Sequence, residues 1–392
     1  MNEGMQTGLD RLLRSHRKLL QKKRVALLAH PASVDHQLRH ALEILREEAS
    51  AEIVALFGPE HGIHGQAQDM ESVGASTYQG LPVYSLYGKD EASLKPSRQS
   101  LEGVEVLVCD LQDVGSRYYT FIYTIAFCME IAKETGTHVV VLDRPNPING
   151  HQVEGNLVAP GFRSFVGWFP LAVRHGMTVG ELAQLFRQEQ GLNCELTVVP
   201  MKGWHRRRYQ DELDTPWVLP SPNMPTVDTA VVYPGMCLIE GTELSEGRGT
   251  TRPFEIFGAP FIDPEALAKR LREFRLPGVR FRPLYFKPGF QKWAGQVCGG
   301  IQLHVTRRRA FQALLTGVAA LRAVHDLYPK EFQYRHRAYE FVDKIPAIDL
   351  LAGNARLREQ IEAGVSLREI EGSWEEERSR FLEMRKKYLL YT

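Results

Sequence analysis

The run VEVLVCDLQDVGSRYYTFIYTIAFCMEIAKETGTHVVVLDRPNP, residues 104–147, sets two short apolar segments on either side of a longer one. Val104–Asp110 and Thr137–Asp143 have strand length and are bounded by turn residues, so they predict buried strands; residues 119–135 predict a helix. A strand, a crossover helix and a second apolar strand make a βαβ unit, the building block of a parallel sheet covered on both faces. Working outward, Arg24–Ala29 (RVALLA), Glu52–Phe57 (EIVALF) and Glu195–Val199 (ELTVV) add three strands, with helices near 36–49 and 178–190. Thr178 followed by Glu181 fits a capping box at the start of the last helix. The prediction is an α/β fold: a Rossmann-like, mostly parallel sheet with helices on both faces. Residues 217–260 are rich in Pro and Gly and read as a long loop, of the kind that is functional or marks a domain junction. Beyond it, a helix at 264–274, strands near 279–286 and 299–306, and helices through 309–327, 354–362 and 366–387 predict a smaller C-terminal α+β domain. The division is placed at 1–235 and 236–392, the second part forming the other wall of a cleft.

The 392 residues are 43% hydrophobic, which excludes disorder as the main state; at about 150 residues per domain, the length suits two domains. Lys and Arg number 48 against 47 Asp and Glu, so no global field steers the chain toward nucleic acid or an anionic membrane. Arg206–Arg208 and Arg307–Arg309 are expected to be solvated basic faces, because no aromatic interleaving accompanies them. No segment approaches the ~20 apolar residues that span a bilayer, which predicts a soluble protein. The N-terminal 24 residues read as a basic amphipathic helix and lack the apolar core of a secretory signal. A cytoplasmic location is expected, with export as the alternative. The five cysteines are scattered with no CxxC pair, so buried free thiols are expected instead of disulfides or a thiolate zinc site.

Chemistry concentrates just after the apolar strands. Strand one runs into His30-Pro31-Ala32-Ser33, strand two into Gly58-Pro59-Glu60-His61-Gly62, strand three into a cluster holding Asp110, Gln112, Asp113 and Arg117, and strand four into Asp143-Arg144-Pro145-Asn146. Ligands of open α/β sheets bind outside the carboxyl ends of the strands, so these clusters are expected to converge. Asp143 and Asn146 alone are explained as well by helix caps and turns. No GxGxxG follows strand one, so a dinucleotide is disfavoured and no cofactor is expected; Walker A, GxSxG and HExxH are absent too. A pocket of carboxylates, amides, Arg and aromatics suits a sugar. Glycoside cleavage needs a carboxylic acid to protonate the leaving oxygen and a second group to attack or to activate water. Glu60 is the candidate acid/base, with Asp110, Asp113, Glu154 and Glu240 as candidate partners. Two other readings stand beside this one: a sugar-binding module without catalysis, and a metal-dependent hydrolase using His61, His64 and Asp110.

GPEHGIHG (58–65), DLQDVGSRYYTF (110–121), LDRPNPINGHQVEGN (142–156), RHGMTVGEL (174–182), LPSPNMPT (219–226), YPG (233–235) and EGTELSEGRGTTRPFE (240–255) together resemble the NamZ-type exo-β-N-acetylmuramidases. The resemblance runs from about residue 24 to the last residue. It implies a bacterial glycoside hydrolase that releases terminal, non-reducing N-acetylmuramic acid from peptidoglycan fragments, with a saccharide as partner and neither nucleic acid nor membrane insertion involved. It implies catalytic roles for Glu60, with His61 and Asp110. Gln112, Asp113, Arg117, Asp143, Arg144, Asn223, Glu240 and Arg248 lie in the same motifs and are assigned here to substrate binding, with Arg117 or Arg248 expected to grip the lactyl carboxylate. No metal ligand is implied.

Overall fold

The computed structural model describes residues 4–392 except 69, 73 and 75. A helical turn, α1 (Gly8–Arg11), precedes β1 (Arg24–Ala29), α2 (Ala41–Glu48), β2 (Glu52–Gly58), β3 (Ser76–Tyr78), β4 (Leu81–Ser85), β5 (Val106–Asp110), α3 (Phe121–Thr135), β6 (His138–Leu142), α4 (Val179–Glu189) and β7 (Leu196–Val199). The strands form one sheet in the order β3-β4-β2-β1-β5-β6-β7, parallel except for the antiparallel β3–β4 pair. Side chains alternate across a strand, and the core divides accordingly. Ala26, Leu28, Leu107, Cys109, Val139 and Val141 face α3 and α4. Val25, Leu27, Val106, Val108, Val140 and Leu142 face α1 and α2. Burial on both faces is why these strands are continuously apolar.

The second unit comprises α5 (Val227–Met236), β8 (Ile256–Ala259), α6 (Pro264–Glu273), β9 (Val279–Phe286), β10 (Cys298–Val305), α7 (Ala313–Leu327), α8 (Ala347–Ala352), α9 (Arg356–Glu362), α10 (Leu367–Gly372) and α11 (Glu375–Arg385). Its sheet is antiparallel, ordered β8-β10-β9. The expected loop at 217–260 therefore contains a helix and a strand. α5 escapes a periodicity search because nearly all of it is buried and Pro234 lies inside it. Tertiary packing holds it. A Cβ on Gly235 would overlap the carbonyl oxygen of Ala313, and one on Gly317 would overlap that of Gly235. Only glycines let α5 and α7 cross in backbone contact, which is the physical reason for the Gly of YPG. The single helix expected at 366–387 is two, because the chain turns at Ser373 between α10 and α11. The expected N-terminal amphipathic helix is the short α1 continued by a π-helical turn (Leu12–His16) and a 3₁₀ turn (Arg17–Leu19). None of the five buried cysteines forms a disulfide.

Asp143, at the end of β6, has a structural task. Its carboxylate accepts from the backbone N–H groups of Arg144 (3.0 Å) and Gly180 (2.8 Å), the Thr178 hydroxyl (2.8 Å) and Tyr391 Oη (2.5 Å). It ties the start of α4 and residues 388–392 to the sheet, with Leu390 N–H on Glu181 Oε1 (2.8 Å) and Arg206 N–H on the Thr392 carbonyl (3.0 Å) completing the clasp. Burial pushes the Asp143 carboxyl up to about 7, against the donors from Tyr391, Gly180 and Thr178.

A raised folded-state pKa means that stability is full below the ordinary aspartate range and is lost as pH rises toward 7, by up to about 4 kcal/mol. Melting temperatures measured from pH 4 to 8 are expected to fall across that window in the wild type and to flatten in Asp143→Asn; parallel profiles would refute the assignment. Gly317→Ala is expected to cost about 3 kcal/mol in denaturant unfolding through the clash with α5, and an unchanged midpoint would refute the backbone crossing.

Candidate active site

The carboxyl ends of β1, β2, β5 and β6 share one edge, but their polar side chains part company there. Asp110 and Arg144 form a buried bidentate pair, Nε to Oδ1 at 2.5 Å and Nη2 to Oδ2 at 2.7 Å, and Arg144 Nη2 also reaches the Val34 carbonyl at 3.0 Å. A charge out of water needs such a partner, and this pair closes the centre of the sheet edge. Gln112 donates to the carbonyls of Asp113 (2.7 Å) and Pro145 (2.9 Å). Gln112 and Arg144 line a recess with Asp35, His36 and Trp217, separate from the one holding Glu60. Asp113 Oδ2 accepts the Gly115 N–H at 2.7 Å and lies 3.3 Å from His175 Nε2. Arg117 is fully buried, and its guanidinium donates to the carbonyls of Asn156 (2.9 Å), Leu171 (2.9 Å) and Leu351 (2.8 Å). Sealed in that cage, it is placed to join loops and does not line the cleft that holds Glu60, and neither does Asp143 in its clasp.

Glu60, His61, Asn223, Glu240 and Arg248 do come together. With Tyr118, Tyr119, Thr120, Ser221, Tyr233, Phe254, Tyr339 and Glu340 they line a narrow cleft between the two units. Glu60 sits on the turn after β2. Gly62 N–H bonds back to the Pro59 carbonyl at 2.9 Å, and His61 is held at φ +70° ahead of Gly62 at +77°. The turn aims the Glu60 carboxylate inward, 7% exposed. Thr120 Oγ1 donates to its Oε2 at 2.6 Å, and His61 Nε2 lies 3.7 Å from its Oε1. His61 Nδ1–H donates to the Ala67 carbonyl at 2.8 Å, which fixes the ring. Across the cleft, Glu240 accepts from Arg248 Nη2 (2.6 Å) and Tyr339 Oη (2.7 Å). Arg248 also faces Glu246 (3.3 Å) and stacks over Phe254 at 5.0 Å. Asn223 Nδ2 donates to Gln68 Oε1 at 2.8 Å. Burial pushes the Tyr118, Tyr119 and Tyr233 phenols up, so they stay neutral donors.

His30, at the end of β1, positions one wall. Its Nε2 accepts the Gln112 N–H (2.9 Å) and its Nδ1–H donates to the Pro220 carbonyl (3.2 Å), next to Ser221. Burial depresses its pKa to about 3, so the ring is neutral and both bonds persist near neutrality. Sequence reasoning passed over Thr120, although it lies in a quoted motif, and had no signal for Tyr339 or Glu340. The triad of the metal-dependent reading is not assembled. His64 packs edge-on to Tyr78 at 4.8 Å in another recess, and Asp110 is bound to Arg144. Among the described residues no group of three His, Cys, Asp or Glu is placed to hold a metal, and no helix is long and apolar enough to cross a membrane.

Comparison with known proteins agrees with this architecture. Residues 25–228 match the family model for the N-terminal part of exo-β-N-acetylmuramidase NamZ, and residues 231–391 match that for its C-terminal part. The chain is 47% identical over 389 residues to the peptidoglycan β-N-acetylmuramidase NamZ of Bacillus subtilis, covering 99% of this chain and 91% of that protein. Two crystal structures of DUF1343 family proteins from Bacteroides fragilis superimpose with TM-scores of 0.89 and 0.79, at 35% and 30% identity. The first covers 99% of both chains, the second 100% of this chain and 99% of its own. With the two family models matched in order along almost the whole length, and the cleft built from segments of both, the chain belongs to the NamZ exo-β-N-acetylmuramidase family.

Proposed function

We propose that the protein is an exo-acting glycoside hydrolase that removes terminal, non-reducing N-acetylmuramic acid from peptidoglycan fragments, with Glu60 protonating the departing oxygen. The observation that carries this is the Glu60 carboxyl in the cleft, held by Thr120 on one oxygen and facing His61 with the other. Glycosidic bonds are hydrolysed when the leaving oxygen receives a proton and the anomeric carbon, losing that oxygen, ends bonded to the hydroxyl of water, directly or through an intermediate. Thr120 fixes the rotation of the carboxyl, which leaves Oε1 as the atom that carries that proton. Because the Nδ1–H of His61 is committed to Ala67, its Nε2 is the nitrogen that faces Oε1.

Glu240 is engaged by Arg248 and Tyr339, which suits it to orienting Arg248 more than to attack. Arg248 carries the permanent positive charge among the described lining residues. With Arg117 enclosed by carbonyls, Arg248 is the group we assign to the lactyl carboxylate, which a guanidinium grips through paired donors.

Glu60→Gln is expected to lower kcat on a muramic acid–glucosamine disaccharide by about 10²–10⁴-fold with an unchanged melting temperature. The loss should be smaller on an aryl glycoside, whose leaving group needs less protonation. Equal losses on both substrates would remove Glu60 from the acid role. Arg248→Lys keeps a positive charge and loses the fork; the preference in kcat/KM for a muramic acid glycoside over its N-acetylglucosamine analogue is expected to fall about tenfold, and an unaltered ratio would point to another cation.

A further inference from the structure

Glu340 reaches the cleft from the smaller unit on a turn that its side chain does not favour. Tyr339 and Val342 exchange backbone hydrogen bonds of 2.9 and 3.0 Å, leaving Glu340 and Phe341 as the central pair, with φ of +47° and +65°. Two positive φ values in a two-residue turn form the pattern that Asn-Gly or Asp-Gly usually occupies. In a glutamate and a phenylalanine the Cβ atoms are crowded in this region. Such backbone persists where its surroundings over-determine it, and it concentrates at functional sites. Here Tyr339 Oη is fastened to Glu240 (2.7 Å), the Phe341 ring packs on Tyr87 at 5.7 Å, and Tyr87 Oη donates to Glu340 Oε2 at 3.2 Å. Tyr87 follows β4, so the turn is braced from both units. The result is a carboxylate, 3% exposed, lining the same cleft as Glu60.

A carboxylate accepts hydrogen bonds and has none to donate, so one placed there recognises a donor. We propose, on the hydrolase reading above, that Glu340 is a substrate-contacting, specificity-determining residue whose carboxylate accepts the hydrogen bond of the free 4-hydroxyl at the non-reducing end of the terminal sugar. An internal sugar of a 1,4-linked chain carries its neighbour on that oxygen and has no proton to offer. A buried acceptor left without its donor is costly, and sites built around a substrate hydroxyl reject analogues that lack it. Glu340 thereby confines the cleft to chain ends, which is the exo mode of action.

The test is calorimetric binding of N-acetylmuramic acid and its 4-deoxy analogue to wild type, E340Q and E340N, with a thermal melt of each protein. Wild type is expected to bind the parent sugar at least tenfold more tightly than the deoxy sugar. Both variants are expected to lose at least fivefold in affinity for the parent and to bind the two sugars within twofold of each other. E340N, which suits positive φ, is expected to melt no lower than wild type, the opposite of what a purely structural role predicts. Should E340N fail to fold, E340Q decides. Discrimination equal to wild type in the folded variants overturns the proposal, as does a loss of parent affinity below fivefold. Binding requires no turnover, so a wild type that releases no product refutes the hydrolase reading alone and leaves the role of Glu340 to these affinities.

Discussion

The contact between α5 and α7 is the constraint from which the site follows. Gly235 and Gly317 bring two helix backbones together where any Cβ would collide, and a close-packed interior offers no slack to absorb a larger residue. Tyr233 projects from α5 into the cleft, and α5 runs into the 3₁₀ turn Cys237–Gly241 that carries Glu240. Spacing the helices further apart would move one wall relative to Glu60, which belongs to the large sheet. The cleft is thus a property of how two units are fastened, and neither unit contains it alone.

Charge burial explains how the polar residues are sorted. Taking an ion out of water is tolerated only with a partner or a full set of hydrogen bonds. Asp110 has Arg144, Arg117 has three carbonyls, and Asp143 has four donors. These groups build the frame at the sheet edge. In the cleft the arrangement differs. Glu60 and Glu340 each have a hydroxyl donor, from Thr120 and Tyr87, and both line the cleft. Rigid neighbours hold both groups: His61 and Thr120 on one side, the Tyr339–Val342 turn on the other. Preorganisation of this kind lets a site meet a reacting group without first rearranging.

The mostly parallel sheet was legible in the sequence because strands buried on both faces are largely apolar, and 24–29, 52–57, 104–110 and 137–143 read that way, with the half-buried edge strand at 195–199 marked by its Leu and Val residues. β3 and β4 were not, since short, partly exposed strands at the margin of the sheet lack such a run. α5 hid behind Pro234 and burial on all sides, which erases helical periodicity. At the site, the chain by itself identified Glu60, His61, Asn223, Glu240 and Arg248 as members of polar clusters and family motifs. It also determined that the protein belongs with glycosidases of this family, because long motifs preserve chemistry in linear order. Tertiary structure alone decided which charges neutralise one another and which face the cleft. Asp110 and Arg144 are 34 residues apart, and Tyr87 and Glu340 are 253 apart. Pairing at that range depends on the energy of burial across the folded chain, and no local pattern records it.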